Sequence, residues 1–131
     1  MKRRFLLLLL TLALLTDCGK TDGAAKKEVA SEVYSQEEID EAIEAAERYF
    51  QEHFKGCTLT EIWYVGDEKT AGFQEFADRN GAEQVIVLLS NFEVDASGGD
   101  GSLNPNSTYT DWNWILVRDG SGPWRHVDHG Y

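Results

Sequence analysis

The sequence predicts an α+β domain: one long N-terminal amphipathic helix and a shorter second helix packed on a curved antiparallel sheet of about four strands. Three observations predict it. A helix-capping signature near residue 35 opens a stripe of apolar residues at helical spacing. Farther on, runs of β-branched and aromatic residues alternate with Gly- and Asn-rich breaks. Only one weaker helical pattern interrupts those runs, between residues 68 and 79.

Ser35-Gln36-Glu37-Glu38 has the form of a capping box, in which the Ser35 hydroxyl accepts from the third helical N–H and Glu38 reaches back to the Ser35 N–H. Ile39, Ala42, Ile43, Ala46, Tyr49, Phe50 and Phe54 then recur three and four residues apart and form one inward stripe. Gly56 is the stop. Residues 57–65 read as a strand, ended by Gly66-Asp67. Residues 68–79 form the second helix, with Ala71, Phe76 and Ala77 inward and Asn80-Gly81 as its stop. Residues 82–94 contain Val85-Ile86-Val87-Leu88-Leu89, an apolar run suited to a strand covered on both faces. Residues 95–106 are a turn-rich loop. Residues 109–118 are a strand with Trp112, Trp114 and Leu116 on one face and Tyr109, Ile115 and Val117 on the other. A turn at 119–123 leads into a closing strand at 124–129.

Ahead of this domain (35–131) the composition changes. Met1-Lys2-Arg3-Arg4 is basic and is followed by an apolar run from Phe5 to Leu15, too short to span a bilayer and of the length of a signal-peptide core. Residues 1–17 therefore read as a signal peptide, and residues 18–34, poor in large apolar side chains, as a flexible tether. The chain carries a formal charge of −11; removing residues 1–17 takes away three cations and one anion and leaves −13. An acidic surface of that kind lacks the basic footprint that phosphate backbones require, so nucleic acid is not expected as a partner.

Leu15-Thr16-Asp17-Cys18-Gly19-Lys20 resembles the lipobox of bacterial lipoproteins, with Asp17 standing where that family carries Gly, Ala or Ser. The resemblance implies cleavage before Cys18, a diacylglyceryl (palmitate-bearing) thioether on its sulfur, and a domain held as a membrane anchor on the extracytoplasmic face of the cell membrane. The chain has two cysteines. With Cys18 lipidated, Cys57 has no partner and reads as a small buried residue; a Cys18–Cys57 disulfide is the alternative where lipidation fails.

The closing segment, Trp112-Asn113-Trp114-Ile115-Leu116-Val117-Arg118, a turn, then Trp124-Arg125-His126-Val127-Asp128-His129-Gly130-Tyr131, resembles the end of a family of uncharacterised small lipoproteins of Gram-positive bacteria. The leading helix, the 95–106 loop and the leader fit the same family. The element order is similar to the cone-shaped fold of the nuclear-transport-factor-2-like (cystatin-like) superfamily. That likeness implies a cone-like sheet whose mouth is able to take a small ligand. It assigns no catalytic residue, because the superfamily includes enzymes, interaction modules and domains without a ligand.

Three stretches carry chemistry. On a regular strand His126 and Asp128 share a face and His129 takes the other, so His126 and Asp128 are the candidates for an acid–base pair or for two metal ligands. No third ligand stands at diagnostic spacing, and neither a metal nor another cofactor is expected. Ordinary polar residues on an exposed face explain the stretch equally well. Trp63, Trp112, Trp114 and Trp124 are candidates to line an apolar pocket, the plain alternative being core packing. Asp95, Ser97, Asp100 and Asn104 lack EF-hand order and read as a long hairpin connection rather than a calcium loop. His53 reads as a boundary residue. The expectation is thus a lipoprotein with a small, non-enzymatic binding or interaction domain. Its partners would be the membrane, through the lipid, and a protein or small apolar ligand. The alternative is a cone-fold lyase or isomerase that uses His126 and Asp128 beside a Trp-lined pocket.

Overall fold

The computed structural model describes residues 19–131. The signal peptide read at 1–17 and the lipid attachment expected at Cys18 lie outside the described residues. In order, the chain forms β1 (Ala25–Lys27), α1 (Gln36–His53), β2 (Cys57–Tyr64), α2 (Asp67–Ala71), α3 (Gln74–Arg79), β3 (Gln84–Val94), β4 (Thr108–Arg118) and β5 (Arg125–Gly130). The architecture is α+β, with one five-stranded sheet in the order β1-β2-β3-β4-β5. Among the described residues no helix is long and apolar enough to cross a membrane.

The capping box forms as the sequence requires. The Glu38 N–H donates to Ser35 Oγ at 3.1 Å, and the Ser35 N–H donates to Glu38 Oε1 at 2.9 Å. From there the apolar stripe of α1 buries Ile39, Ala42, Ile43, Ala46 and Phe50 against one face of the sheet, with Phe54 buried at the cap. Leu59, Ile62, Tyr64, Ile86, Leu88, Phe92, Trp114 and Leu116 supply the sheet side of that core. On the opposite face Val85, Val87, Ile115 and Val117 pack with Ala77, Phe73 and Phe76 of the α2–α3 segment. The central strand β3 is therefore covered on both sides, and Val85, Ile86, Val87 and Leu88 are all buried.

Three features depart from the sequence reading. The second helix is two short ones, because Gly72 interrupts it and Phe73 turns onto the smaller core; Ala71 is left exposed rather than inward. The sheet has five strands and is mixed, since β1 pairs in parallel with β2 (Lys26 opposite Ile62). That fifth strand comes from the stretch expected to be a tether. Gly19 is buried and its N–H donates to the Gln51 carbonyl at 3.0 Å. The Lys20 N–H donates to the Cys57 carbonyl at 2.9 Å, and the Leu59 N–H donates back to the Lys20 carbonyl at 2.8 Å. At the far end of the same stretch the Asp67 carboxylate accepts from the Ser31 hydroxyl at 2.6 Å, from the Glu32 N–H at 2.8 Å and from the Tyr64 hydroxyl at 2.7 Å. Tyr34 is buried, with its hydroxyl donating to the Val85 carbonyl at 2.6 Å. These bonds pin residues 19–34 at both ends of β2.

The third departure is that three of the long strands carry a β-bulge. Thr60 is surplus in β2, residues 110–111 widen β4 opposite Asn91, and Val127 is surplus in β5. A surplus residue bends a strand and resets which side chains share a face. In β4 the bulge places Asp111 at φ 54° and brings Tyr109 to the same side as Trp112. Tyr109 accordingly stacks on Phe92 at 5.1 Å in the main core rather than facing away from it.

Candidate functional site

The C-terminal end of α1 lies beside the open end of the sheet, where β2 and β4 begin, β3 and β5 finish, and the 95–106 loop passes over. A cavity of about 430 Å³ opens here, its walls including Tyr49, His53, Phe54, Asp100, Trp112 and His129. The loop is shaped to close one side. The Asp95 N–H donates to the Gly56 carbonyl at 2.9 Å, and Gly98 stands at φ 70°, where a Cβ would lie 2.7 Å from the Leu103 carbonyl oxygen. Asp100 accepts from the Ser102 hydroxyl and N–H, which holds its carboxyl below the usual carboxylate range. Asp95 is lowered in the same way by Ser97. Both loop aspartates are thus occupied in turns of their own. Among the described residues no three His, Cys, Asp or Glu side chains are grouped as metal ligands would be.

All three histidines of the chain gather around Tyr49. The His126 ring stacks on it at 3.7 Å between centroids, the His53 ring lies 4.2 Å away, and the His129 ring 5.7 Å away. His126 Nε2 and His129 Nδ1 are 3.0 Å apart, so one imidazole donates and the other accepts. The Val127 bulge is what brings them together: three positions apart in sequence, they become neighbours on one face. The face assignment read from simple alternation is therefore corrected. His126 pairs with His129, while Asp128 is exposed, lies across from Ile115 and accepts only the His129 backbone N–H at 2.8 Å.

The four tryptophans do not form one wall. Trp63 lies between the core residues Ile62 and Tyr64, faces the other side of the sheet and is capped by the Lys27 ammonium at 4.2 Å. Trp114 is fully buried, its Nε1–H donating to Ser90 Oγ at 2.7 Å. Trp124 is buried at the other end of α1, where its Nε1–H donates to the Glu38 carbonyl at 3.1 Å. Trp112 alone of the four lines the cavity. Its indole N–H is buried and has no hydrogen-bond partner in the structure, an unfinished contact in this wall. Sequence reasoning did not single out Tyr49 and Phe54 as site residues; it considered Asp100 only as part of a calcium loop and set His129 on the face opposite His126. The available signal was Tyr49 with His53 one turn later at the polar margin of the α1 stripe.

Cys57 is buried and has no disulfide partner among the described residues, with its thiol pushed up to about 11, chiefly by burial. It is not a thiolate nucleophile near neutral pH.

Comparison with known proteins finds no family model, no curated protein and no solved structure that matches the chain.

The histidine pair gives the site a pH signature. Burial, and then the neighbouring His129, push His126 down to about 4 from an ordinary value of 6.5; burial lowers His129 as well. The unfolded chain therefore takes up protons that the folded one refuses. This loss of stability is absent above pH 6.5 and develops as pH falls toward 4. Allowing for partial exposure, the expected loss is about 1–2 kcal/mol. In urea titrations, His126→Phe, which keeps the stack on Tyr49, should lose that much less than the parent between pH 7 and pH 4. Parallel curves for the two proteins would refute the assignment.

Proposed function

We propose that the chain is an extracytoplasmic lipoprotein, anchored through Cys18, whose domain binds a small ligand without transforming it. The observation that carries this reading is the cavity between α1 and the 95–106 loop. Its walls combine aromatic faces with a few polar groups, the usual make-up of a small-molecule site. No Lys or Arg lines it, Asp100 is its one carboxylate, and the histidine in its inner wall is held toward the neutral form. Those groups favour a neutral or cationic ligand over an anion. A mouth at the open end of a curved sheet fits the cone-like fold of the nuclear-transport-factor-2-like superfamily. The basic-then-apolar leader and the lipobox-like residues support the location.

One observation favours a second reading. The His126–His129 hydrogen bond is the arrangement in which an inner imidazole orients an outer one as a general base. A lyase or isomerase would then use His129 at the cavity wall, backed by His126 in the position that Asp128 was expected to fill.

The test is a titration of the full chain with neutral and cationic solutes (monosaccharides, amino acids, quaternary amines), followed by tryptophan fluorescence. A binder should move the emission of the parent. Leu103→Trp, which fills the cavity, should weaken that binder at least about tenfold. A parent protein indifferent to every solute would count against the reading. Disappearance of the solute with time would select the enzyme instead.

A further inference from the structure

We infer that the cavity-bearing end of the fold rests against the bilayer, with the lipid headgroup surface as the partner of that face. The inference builds on the lipoprotein reading and adds an orientation to it.

Three observations point the same way. The first is the missing slack. Gly19, the residue after the lipid-attachment cysteine, is docked in the fold, where a Cβ would run into the carbonyl oxygens of Phe50 and Phe54. Its N–H is held by Gln51, and Lys20 is bonded on both sides to β2. Successive Cα atoms are about 3.8 Å apart, so a lipid on residue 18 begins within one residue of the folded body. No stalk intervenes.

The second is the position of that attachment. Phe54 presents its carbonyl to Gly19 and its side chain to the cavity. Anchor and cavity therefore flank the same last turn of α1, about one helix diameter, roughly 10 Å, apart. The α3 helix, which carries the exposed Glu75, packs instead through Ala77 and Phe76 on Val85 and Val117, toward the end of the sheet where the 119–123 turn lies.

The third is what this end exposes. Tyr131 is one of two large hydrophobic side chains left open among the described residues, at 77% exposure. It stands 5.2 Å from Trp112 and 6.1 Å from Tyr109, an aromatic group at the cavity rim. Tyr and Trp are the side chains that settle at the headgroup level of a membrane.

The experiment uses the full chain made in a bacterial host and reconstituted in phosphatidylcholine vesicles containing a headgroup-nitroxide lipid. A dye is attached through Ser102→Cys on the loop or through Glu75→Cys on α3; Cys57 is buried and does not compete. Mass spectrometry first establishes whether Cys18 carries diacylglycerol. With the lipid present, the dye at position 102 should be quenched at least about threefold more than the dye at position 75. Equal quenching on a lipidated chain overturns the orientation and leaves the lipoprotein reading standing. An unmodified Cys18 overturns the lipoprotein reading, and the orientation with it.

Discussion

Replacing Trp114 by alanine is expected to lower the free energy of unfolding by about 3–5 kcal/mol, the largest effect of any single tryptophan change. The indole is completely buried and sits among Phe54 at 5.2 Å, His129 at 5.4 Å, His126 at 5.8 Å and Tyr49 at 6.1 Å. Its N–H also supplies a buried hydrogen bond to Ser90 Oγ at 2.7 Å. Alanine would leave a hole where α1, β4 and β5 meet, behind the cavity wall, and the surroundings have little means of closing it. Trp63→Ala is the control. That ring lies on the opposite face under Lys27, and its removal should cost less than about 1 kcal/mol. Urea unfolding measures both, with an unchanged m-value showing that the midpoint shift is stability. Similar losses from the two variants would refute the division of the tryptophans described above.

The second large effect is expected at the other end of α1. Arg118 is 3% exposed at its side chain, and its guanidinium is held by Glu38, by Gln84 at 2.7 Å and by the face of Trp124 at 4.2 Å. Glu38→Ala removes the counter-charge and, with it, the returning half of the capping box. The expected loss is about 3 kcal/mol, the low end for breaking a buried pair, because the Glu38 side chain is itself one-third exposed. Joint replacement by Glu38→Met and Arg118→Met should cost less than Glu38→Ala alone, since no charge is then left stranded. The sign of the pH dependence follows from the carboxyl. The Ser35 N–H, and after it the Arg118 bond, hold Glu38 below its ordinary 4.5. Its contribution is complete above that value and fades as pH falls through the lowered one. The Glu38→Ala curve should therefore approach the parent below pH 4.5, whereas the His126→Phe curve separates from it between 6.5 and 4.

Much of this fold is written in local residue patterns. Ser35 and Glu38 specify the start of α1, the three- and four-residue spacing specifies its buried stripe, and the run from Val85 to Leu89 specifies a strand covered on both sides. The parts that escaped depend on partners far away in sequence. Residues 25–27 are two lysines and an alanine and carry no strand signal. They pair because Gly19 and Lys20 dock at one end and Ser31 and Glu32 find Asp67 at the other. The bulges escaped for a related reason. Alternation assumes one residue per step, and only the mismatch between strands reveals the surplus at 110–111 and at Val127. Those two positions decide that Tyr109 joins Trp112 and that His126 meets His129. The site was therefore legible in its residue types and not in its pairings.

The parallel strand formed by Ala25–Lys27 has one more consequence, for self-association. It lies along the outer rim of β2, where unpaired N–H and C=O groups would otherwise invite a strand from another molecule. Lys26 and Lys27 then turn charge outward, bonded to Glu47 at 3.3 Å and Glu61 at 3.0 Å. A chain trimmed to begin at residue 35 would lose this cover and present a bare, aromatic-rich border. Residues 19–34 thus act as a guard against edge-to-edge assembly of the sheet.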